Sequence, residues 1–362
     1  MTDNHFITLK KGVTELLQSY RFGSMELETI WTAFYRGNRH LFPYQSYEYN
    51  QVAYRCFRFQ TSRLNEKYFF YVYYQDKTPK LIMPLILKQN KLYIFGDFES
   101  AGALDFIYPE DVCPGDFAEG LTELRKIHTE ELCINKLNIR SKLYDYLLLQ
   151  GQEKPANIRQ TGRRICVKIP FNDYDSYYNR LTKNNRQNLR TAYNRLEKDG
   201  LSWNLAVDRK IRLHSKSYQD EFAIYVKRES ERDNKSRGFF SKLRLKYTDP
   251  VTVALRNMKN SYDFKFYIGN KLAAFMMGLE SENKEVIIPK LAIDSNFSKY
   301  SPGKLMINET VKYLTANSNI RTLDLSKGSE KYKYDMGGTE HINYDFAVLC
   351  SSERKGRVRC CP

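Results

Sequence analysis

Apolar positions near the start of the chain recur at helical spacing: Val13, Leu16, Leu17 and Tyr20, then Met25, Ile30 and Trp31. The spacing predicts helix across residues 13–40, ended by the loop-like run Leu41-Phe-Pro-Tyr-Gln-Ser. The pattern then turns strand-like. Residues 68–74 are aromatic and β-prone, and residues 81–87 are a short apolar run whose Pro84 predicts an edge or a bulge. Residues 91–96 read as a strand closed by Gly96, residues 117–134 as a helix and residues 136–140 as a strand. The stretch from Gly151 to Gly162, with Pro155, is polar and turn-rich, which places a domain boundary after Pro155.

The second half repeats this grammar. Residues 164–170 predict a strand, and residues 173–198 a long helix with Leu181, Leu189, Ala192 and Leu196 on one stripe and Gly200 as its stop. Helical stretches follow near 209–232 and 238–257. Strands at 264–268 and 272–280 flank Gly269-Asn270, a two-residue hairpin signal. A strand at 286–293 contains Pro289, a helix opens at Ser301-Pro302-Gly303, and a strand at 320–325 ends in Asp324-Leu-Ser-Lys-Gly. Mixed α/β patterning in both halves, with a weak internal echo, suggests a duplicated unit.

Composition narrows the class. The 362 residues carry a net charge of +16. Residues 1–155 hold 19 basic and 19 acidic side chains, so the excess lies wholly in the second half. At 42% hydrophobic residues the chain can fill two cores, which excludes a disordered or collagen-like protein. No run approaches the ~20 apolar residues of a spanning helix, and the N-terminus lacks a signal-peptide layout, so a cytoplasmic protein is expected. Seven cysteines without a Cys-x-x-Cys pair argue against a disulfide framework and against a zinc site. No metal is expected.

Two places carry candidate chemistry. Ser301 suits an N-cap and Pro302 a first helical residue, so backbone N–H groups around Gly303, Lys304 and Leu305 should point outward unpaired beside Lys299. Such a terminus is either an anion site or an ordinary capped helix. Asp324 falls at a strand end, Gly328 permits a tight turn, and Glu330, Tyr332 and Lys333 follow. Asp324 suits a general base or an orienting carboxylate, and Lys333 a charge partner or, desolvated, a proton-transfer group; a turn aspartate and a solvated lysine are the plainer roles. On the helix at 181–200, Lys183, Arg186 and Arg190 share a face opposite the leucine stripe, as a ligand surface or a solvated one. His214 and His341 are either bases, though without partners set by spacing, or ordinary surface or core histidines. Gly-x-Ser-x-Gly, P-loop and His-Glu-x-x-His motifs are absent.

The combination resembles a known family. Tyr300-Ser301-Pro302-Gly303 with Leu305, a helix, then Asp324, Gly328, Glu330, Tyr332 and Lys333 is similar to the signature of cellulose-biosynthesis-type (CelD/BcsL) acetyltransferases, a GNAT-superfamily branch near the Fem-type aminoacyl transferases. Upstream, Leu189-Arg190 and Arg195-Leu196-Glu197 before Gly200 resemble the family's basic helix. Phe42-Pro-Tyr-Gln-Ser, Pro84-Leu85 and Asp105-Phe-Ile-Tyr108 resemble its N-terminal motifs. The resemblance covers about residues 30–348.

It implies an α/β fold of two GNAT-like domains in tandem, 1–155 and 156–348, with a flexible basic tail at 349–362. Acetyl-CoA or another acyl-CoA would be the donor, received at Tyr300, Ser301, Gly303, Lys304 and Leu305 between splayed neighbouring strands, here 272–280 and 286–293. Backbone N–H groups of strand 272–280 would polarise the carbonyl. Asp324, Lys333 and Tyr332 would be catalytic, and Arg190, Arg186, Glu330 and Asp105 would hold the acceptor, a sugar or cell-envelope precursor. The chain departs from the wider superfamily in one respect: where the usual pyrophosphate loop has Arg/Gln and two spaced glycines, it offers Lys299 and Gly303.

Two rivals follow. A Fem-type transferase would take its acyl group from aminoacyl-tRNA. A basic nucleic-acid-binding protein would account for the charge, although no helix-turn-helix, zinc finger or RNP motif accompanies it. The tail Ser351-Ser-Glu-Arg-Lys-Gly-Arg-Val-Arg-Cys-Cys-Pro is either a frayed end or a peripheral membrane contact.

Overall fold

The computed structural model describes residues 16–349 apart from 59, 61–64, 97–102, 155, 156, 210–215 and 234–237. His214, the boundary at Pro155 and residues 350–362 lie outside the described residues.

The first half supplies β1 (Leu17–Tyr20), α1 (Met25–Tyr35), a 3-10 turn at Pro43–Gln45, α2 (Tyr47–Arg58), β2 (Lys67–Gln75), β3 (Thr78–Lys88), β4 (Lys91–Ile94), α3 (Pro114–Ile127), β5 (Glu131–Asn138) and α4 (Lys142–Glu153). The second supplies β6 (Ile158–Pro170), α5 (Tyr174–Arg180), α6 (Lys183–Lys198), β7 (Trp203–Asp208), α7 (Lys216–Asp233), α8 (Phe239–Tyr247), α9 (Pro250–Asn257), β8 (Ser261–Ile268), β9 (Lys271–Glu280) and β10 (Glu285–Ile293). It ends with a 3-10 turn at Ser295–Tyr300, α10 (Pro302–Asn317), β11 (Thr322–Lys327), α11 (Lys331–Asp335) and β12 (Thr339–Val348). Among the described residues the strands form one sheet, in the order β1-β2-β3-β4-β5-β12-β6-β11-β10-β9-β8-β7. No helix among them is long and apolar enough to cross a membrane.

The halves join through this sheet. β12 runs antiparallel to β5 on one side and to β6 on the other, with Asn343 opposite both Asn138 and Arg164. Beside the seam Arg140, just after β5, forms a two-pronged pair with Glu285 at the start of β10, both contacts 2.9 Å, and its guanidinium lies over the Phe42 ring. A bidentate carboxylate pair fixes direction as well as distance.

Alternation along the strands sends side chains to two cores. In the second half α5, α6 and α10 cover one face, over Ile169, Phe264, Leu323 and Leu325. The opposite face meets α7, α9 and α2 over Phe275, Met277 and Ile287, in a core continuous with that of the first half. Because Leu323 and Leu325 face α10, Asp324 faces the other way, toward the first half.

Several sequence expectations change. Residues 17–20 are a strand, not the first turns of a helix: Leu17 is buried, Gln18 and Ser19 are exposed, and Gly23, at φ +90°, separates this strand from α1. The helix expected at 117–134 stops at Ile127, and Leu132 and Ile134 alternate into the core from β5. The helix at 173–198 breaks at Leu181, where Thr182 starts α6 by accepting the Asn185 N–H at 3.2 Å. Pro84 lies in the interior strand β3; its carbonyl accepts from Phe95, where the neighbour of β3 changes from β4 to Ile107. The hairpin at Gly269-Asn270 forms as expected, with Gly269 at φ +57°.

The pair of strands that separates also differs from expectation. β9 is paired on both sides, with β8 and β10, the latter antiparallel through Ile293. The parallel neighbours β10 and β11 are the ones that part. They pair only at Glu285–Thr322, Val286–Leu323 and Ile287–Asp324. Beyond that point β10 continues with β9, its register shifted around Pro289, while β11 continues with β6. A wedge therefore opens between them with Asp324 at its apex.

Candidate functional site

Asp324 is buried and hydrogen-bonded at one oxygen, with an imidazole beside the other. Oδ1 accepts the Ser326 N–H at 2.7 Å, and Oδ2 lies 3.0 Å from His341 Nε2. The first contact requires a bend: β11 shifts register between Asp324 and Lys327, and Ser326 sits in the left-handed region at φ +57°. A non-glycine residue there is strained, and its hydroxyl is buried without a hydrogen-bond partner.

The imidazole is oriented in turn. Asn138 Oδ1 accepts the Arg140 N–H, so the Asn138 amide nitrogen is the donor toward His341 Nδ1 at 3.1 Å and toward Asn343 Oδ1 at 2.7 Å. This gives Nδ1 the lone pair and leaves the buried Nε2–H 3.0 Å from the Asp324 carboxylate without a hydrogen bond. Asn343 reaches on to the Cys166 thiol. Asn138, Asn343, His341, Cys166 and Asp324 thus form a polar line across β5, β12, β6 and β11 on the face turned to the first half. Burial, then the Asp324 charge, pushes the Cys166 thiol up to about 12. Tyr44 of the first half closes the line: it is fully buried, its hydroxyl has no hydrogen-bond partner, and burial followed by Asp324 raises it above the usual tyrosine range.

Lys333 has a different place from the one the sequence suggested. It is buried, and its ammonium donates to the carbonyls of Ser326 (3.3 Å), Lys327 (2.8 Å) and Gly328 (3.1 Å), with Glu330 Oε2 at 3.1 Å. Every N–H of the lysine is spent on the turn after β11, so it is the brace of that turn and not a free amine. Gly328, at φ +112°, lies under the Glu330 carboxylate, which a Cβ would overlap. Burial works against ionisation of Glu330, but its backbone N–H and Lys333 outweigh it and hold the carboxyl below its ordinary range. Tyr332 is raised to about 12 by burial and then by Glu330.

The start of α10 is also altered. Ser301 is left-handed (φ 52°) and makes no side-chain cap. Its carbonyl accepts the N–H groups of Lys304 (3.0 Å) and Leu305 (3.2 Å), so these are not the open donors expected. Lys304 pairs with Asp335 and Lys299 with Asp199, both at 2.8 Å, and Tyr300 is buried with its hydroxyl 2.6 Å from the same Asp199 carboxylate. Gly303 sits where a Cβ would come within 3.3 Å of Ile293, the last residue of β10, so the wedge wall and the helix start are in close contact.

Among the acceptor candidates, Arg190 is exposed and makes no hydrogen bond or ion pair among the described residues. Arg186 is turned inward to the carbonyls of Asn179 and Leu181, each at 2.7 Å, and fastens the α5–α6 break. Asp105 is buried in the first half, where Tyr108 donates to Oδ2 at 2.8 Å and Oδ1 has no partner. Burial raises its carboxyl to about 7 against the pull of Ser141 and Tyr108. Sequence reasoning missed Tyr44, Asn138 and Cys166 and gave His341 no partner. The available signal was the pairing of polar His341 and Asn343 two residues apart on a strand, which places both on one face.

Comparison with known proteins agrees with this geometry. Residues 183–334 match the family described as an acetyltransferase (GNAT) domain, a span that holds the wedge, Asp324 and the Lys333 turn. The crystal structure of FemX is similar at a TM-score of 0.58, with 11% identity over 89% of this chain and 96% of that one. A conserved protein of unknown function from Bacteroides thetaiotaomicron VPI-5482 is similar at 0.54, with 11% identity over 92% and 99%. A tandem GNAT protein from the clavulanic acid biosynthesis pathway is similar at 0.51, with 9% identity over 93% and 99%. At such identities the likeness is one of fold. No curated protein matches the chain. The mixed α/β architecture fits two GNAT-like units in tandem, and the matched domain supports an acyltransferase of the GNAT superfamily.

Proposed function

We propose that this protein transfers an acyl group, acetyl from acetyl-CoA, to an amine or hydroxyl of a sugar or cell-envelope precursor, in the manner of the CelD/BcsL type, from two units at residues 1–155 and 156–348. The wedge between β10 and β11, with a held carboxylate at its apex, is the observation that carries this reading. Beyond Ile287 the β11-facing edge of β10 has no strand partner, so its backbone groups are open to the amides of a pantetheine arm and to the thioester carbonyl. Asp324 takes the proton from the acceptor nucleophile as it attacks that carbonyl; the tetrahedral adduct collapses, the C–S bond breaks, and the thiolate leaves. Arg190 and Glu330, both exposed, are the proposed acceptor contacts, and Tyr332 lines the approach.

The test is thermal stabilisation by acyl-CoA followed by thiol release on a panel of amino sugars, with Asp324→Asn as control. Absence of stabilisation together with turnover unaffected by the substitution would sink the reading.

One observation favours a second donor. The Lys304 and Leu305 N–H groups and the lysines at the start of α10, where a CoA pyrophosphate would lie, are already satisfied by Ser301, Asp199 and Asp335. A donor without that pyrophosphate, an aminoacyl-tRNA, suits such a terminus. Filter binding to charged tRNA in parallel with the acyl-CoA melts separates the two.

A further inference from the structure

Residues 209–259 hold 14 basic and 6 acidic side chains, half of the net charge of the whole chain. Part of this basic charge is met by carboxylates outside the span: Arg209 pairs with Glu280 at 2.8 Å, and Lys227 lies 3.9 Å from Asp294. The helix α8 is different. Between Gly238 and Thr248 the sequence contains Lys242, Arg244 and Lys246 and no acidic residue. Neither Lys242 nor Lys246 has a carboxylate partner among the described residues; the Lys246 ammonium lies over aromatic rings instead.

The same helix shows apolar surface. Leu243 is 36% exposed and Tyr247 44% exposed, and four-residue spacing puts them on one stripe. Lys242 and Lys246, also four apart, form the adjoining stripe, with the Lys246 ammonium 5.4 Å over the Tyr247 ring. The element is anchored from behind: Arg256 of α9 donates to the Lys246 carbonyl at 2.7 Å, and Gln60 to the Thr248 carbonyl at 2.9 Å. A short helix fixed at its C-terminal end thus presents an aliphatic side chain, a tyrosine and Lys242 outward, with Lys246 half-buried and its ammonium near the Phe222 and Tyr247 rings.

We infer that α8 is a docking surface for an anionic phospholipid bilayer. Lysine stems lie along apolar surface while their heads reach a charged plane, and tyrosine favours the headgroup level. Basic side chains gain at a surface of anionic lipid, and the gain falls with salt. Exposed Leu243 decides between a bilayer and a nucleic acid. It contributes nothing to phosphate contact, which needs only the charges, whereas a bilayer takes up both stripes. The surface stands apart from the wedge and does not depend on which acyl group is moved there.

Co-sedimentation of the full chain with vesicles tests it, using phosphatidylcholine alone and a mixture with phosphatidylglycerol, at low and physiological salt. Binding is expected to the anionic vesicles only and to weaken with salt. Lys242→Glu/Lys246→Glu should reduce it about tenfold or more, and Leu243→Asp should reduce it with both lysines intact. Circular dichroism confirms that the variants fold, and the basic residues 354–359 stay in place, so that a loss belongs to α8. No binding, equal binding to both vesicle types, or binding unchanged in the two variants overturns the inference. So does a tRNA gel shift that the lysine variant abolishes while vesicle binding persists.

Discussion

His341 Nε2 stands 3.0 Å from Asp324 Oδ2, and the two belong to adjacent parts of one polar line that begins at Asn138 in the first half. The carboxylate at the apex of the wedge is therefore positioned by a strand that both halves share. Asp324→Asn retains an acceptor for the Ser326 N–H but cannot take a proton. Acyl transfer should fall by about 10²–10⁴-fold with the melting temperature nearly unmoved. His341→Ala should lower kcat about tenfold at constant KM, and His341→Gln should restore part of it. Steady-state kinetics on the three variants decides, and equal loss in the alanine and glutamine variants would remove His341 from a positioning role.

Lys333 makes a contrasting case. Its removal leaves three carbonyls and Glu330 without their donor, so Lys333→Ala should cost about 2–4 kcal/mol of stability. A chemical-denaturation curve reads this directly. A variant as stable as the parent but inactive would instead make Lys333 a reacting group.

Asp105 predicts a pH dependence. Its carboxyl titrates near 7 when folded and near 4 when unfolded, so between these values the folded chain binds the additional proton. Stability from this group is then greatest below pH 4, falls as pH rises to 7, and is flat above. Asp105→Asn should remove that slope, and its stabilising effect should be about 2–3 kcal/mol larger at pH 8 than at pH 5. Denaturant midpoints at the two pH values test this; parallel curves for the two proteins would contradict it.

The pair between Arg140 and Glu285 should be strongly coupled. Glu285 is buried, so Arg140→Ala leaves an unpaired buried charge at a cost of about 3 kcal/mol, while Arg140→Met/Glu285→Leu should recover much of it. A double-mutant cycle with coupling under about 0.5 kcal/mol would show that the seam does not depend on this contact.

How far the sequence revealed these features depended on the range of the interaction. The Gly269-Asn270 hairpin and the Gly200 stop were legible because each is decided within a few residues. Residues 17–20 were misread because their partner, residues 70–73 of β2, lies about fifty positions away, and a four-residue strand has no period to distinguish it from a helix end. β7 and α2 gave no signal that was recognised. At the site, Asp324 was visible as a polar residue ending an apolar strand. The role of Lys333 was hidden because convergence of three carbonyls is a property of the turn's shape. His341 had no visible partner because Asn138, which orients it, is 203 positions away.

The location of β12 between β5 and β6 bears on how the protein is made. During synthesis β5 and β6 emerge in succession, joined by α4, while the strand that must separate them follows about half a chain length later. Until then the facing edges of β5 and β6 are unsatisfied and able to pair with each other in a wrong sheet. Completion of the seam, and with it the polar line to Asp324, is thus a late, non-local event, of the kind that slows folding. The shared strand ties the competence of the site to the arrival of residues 339–348.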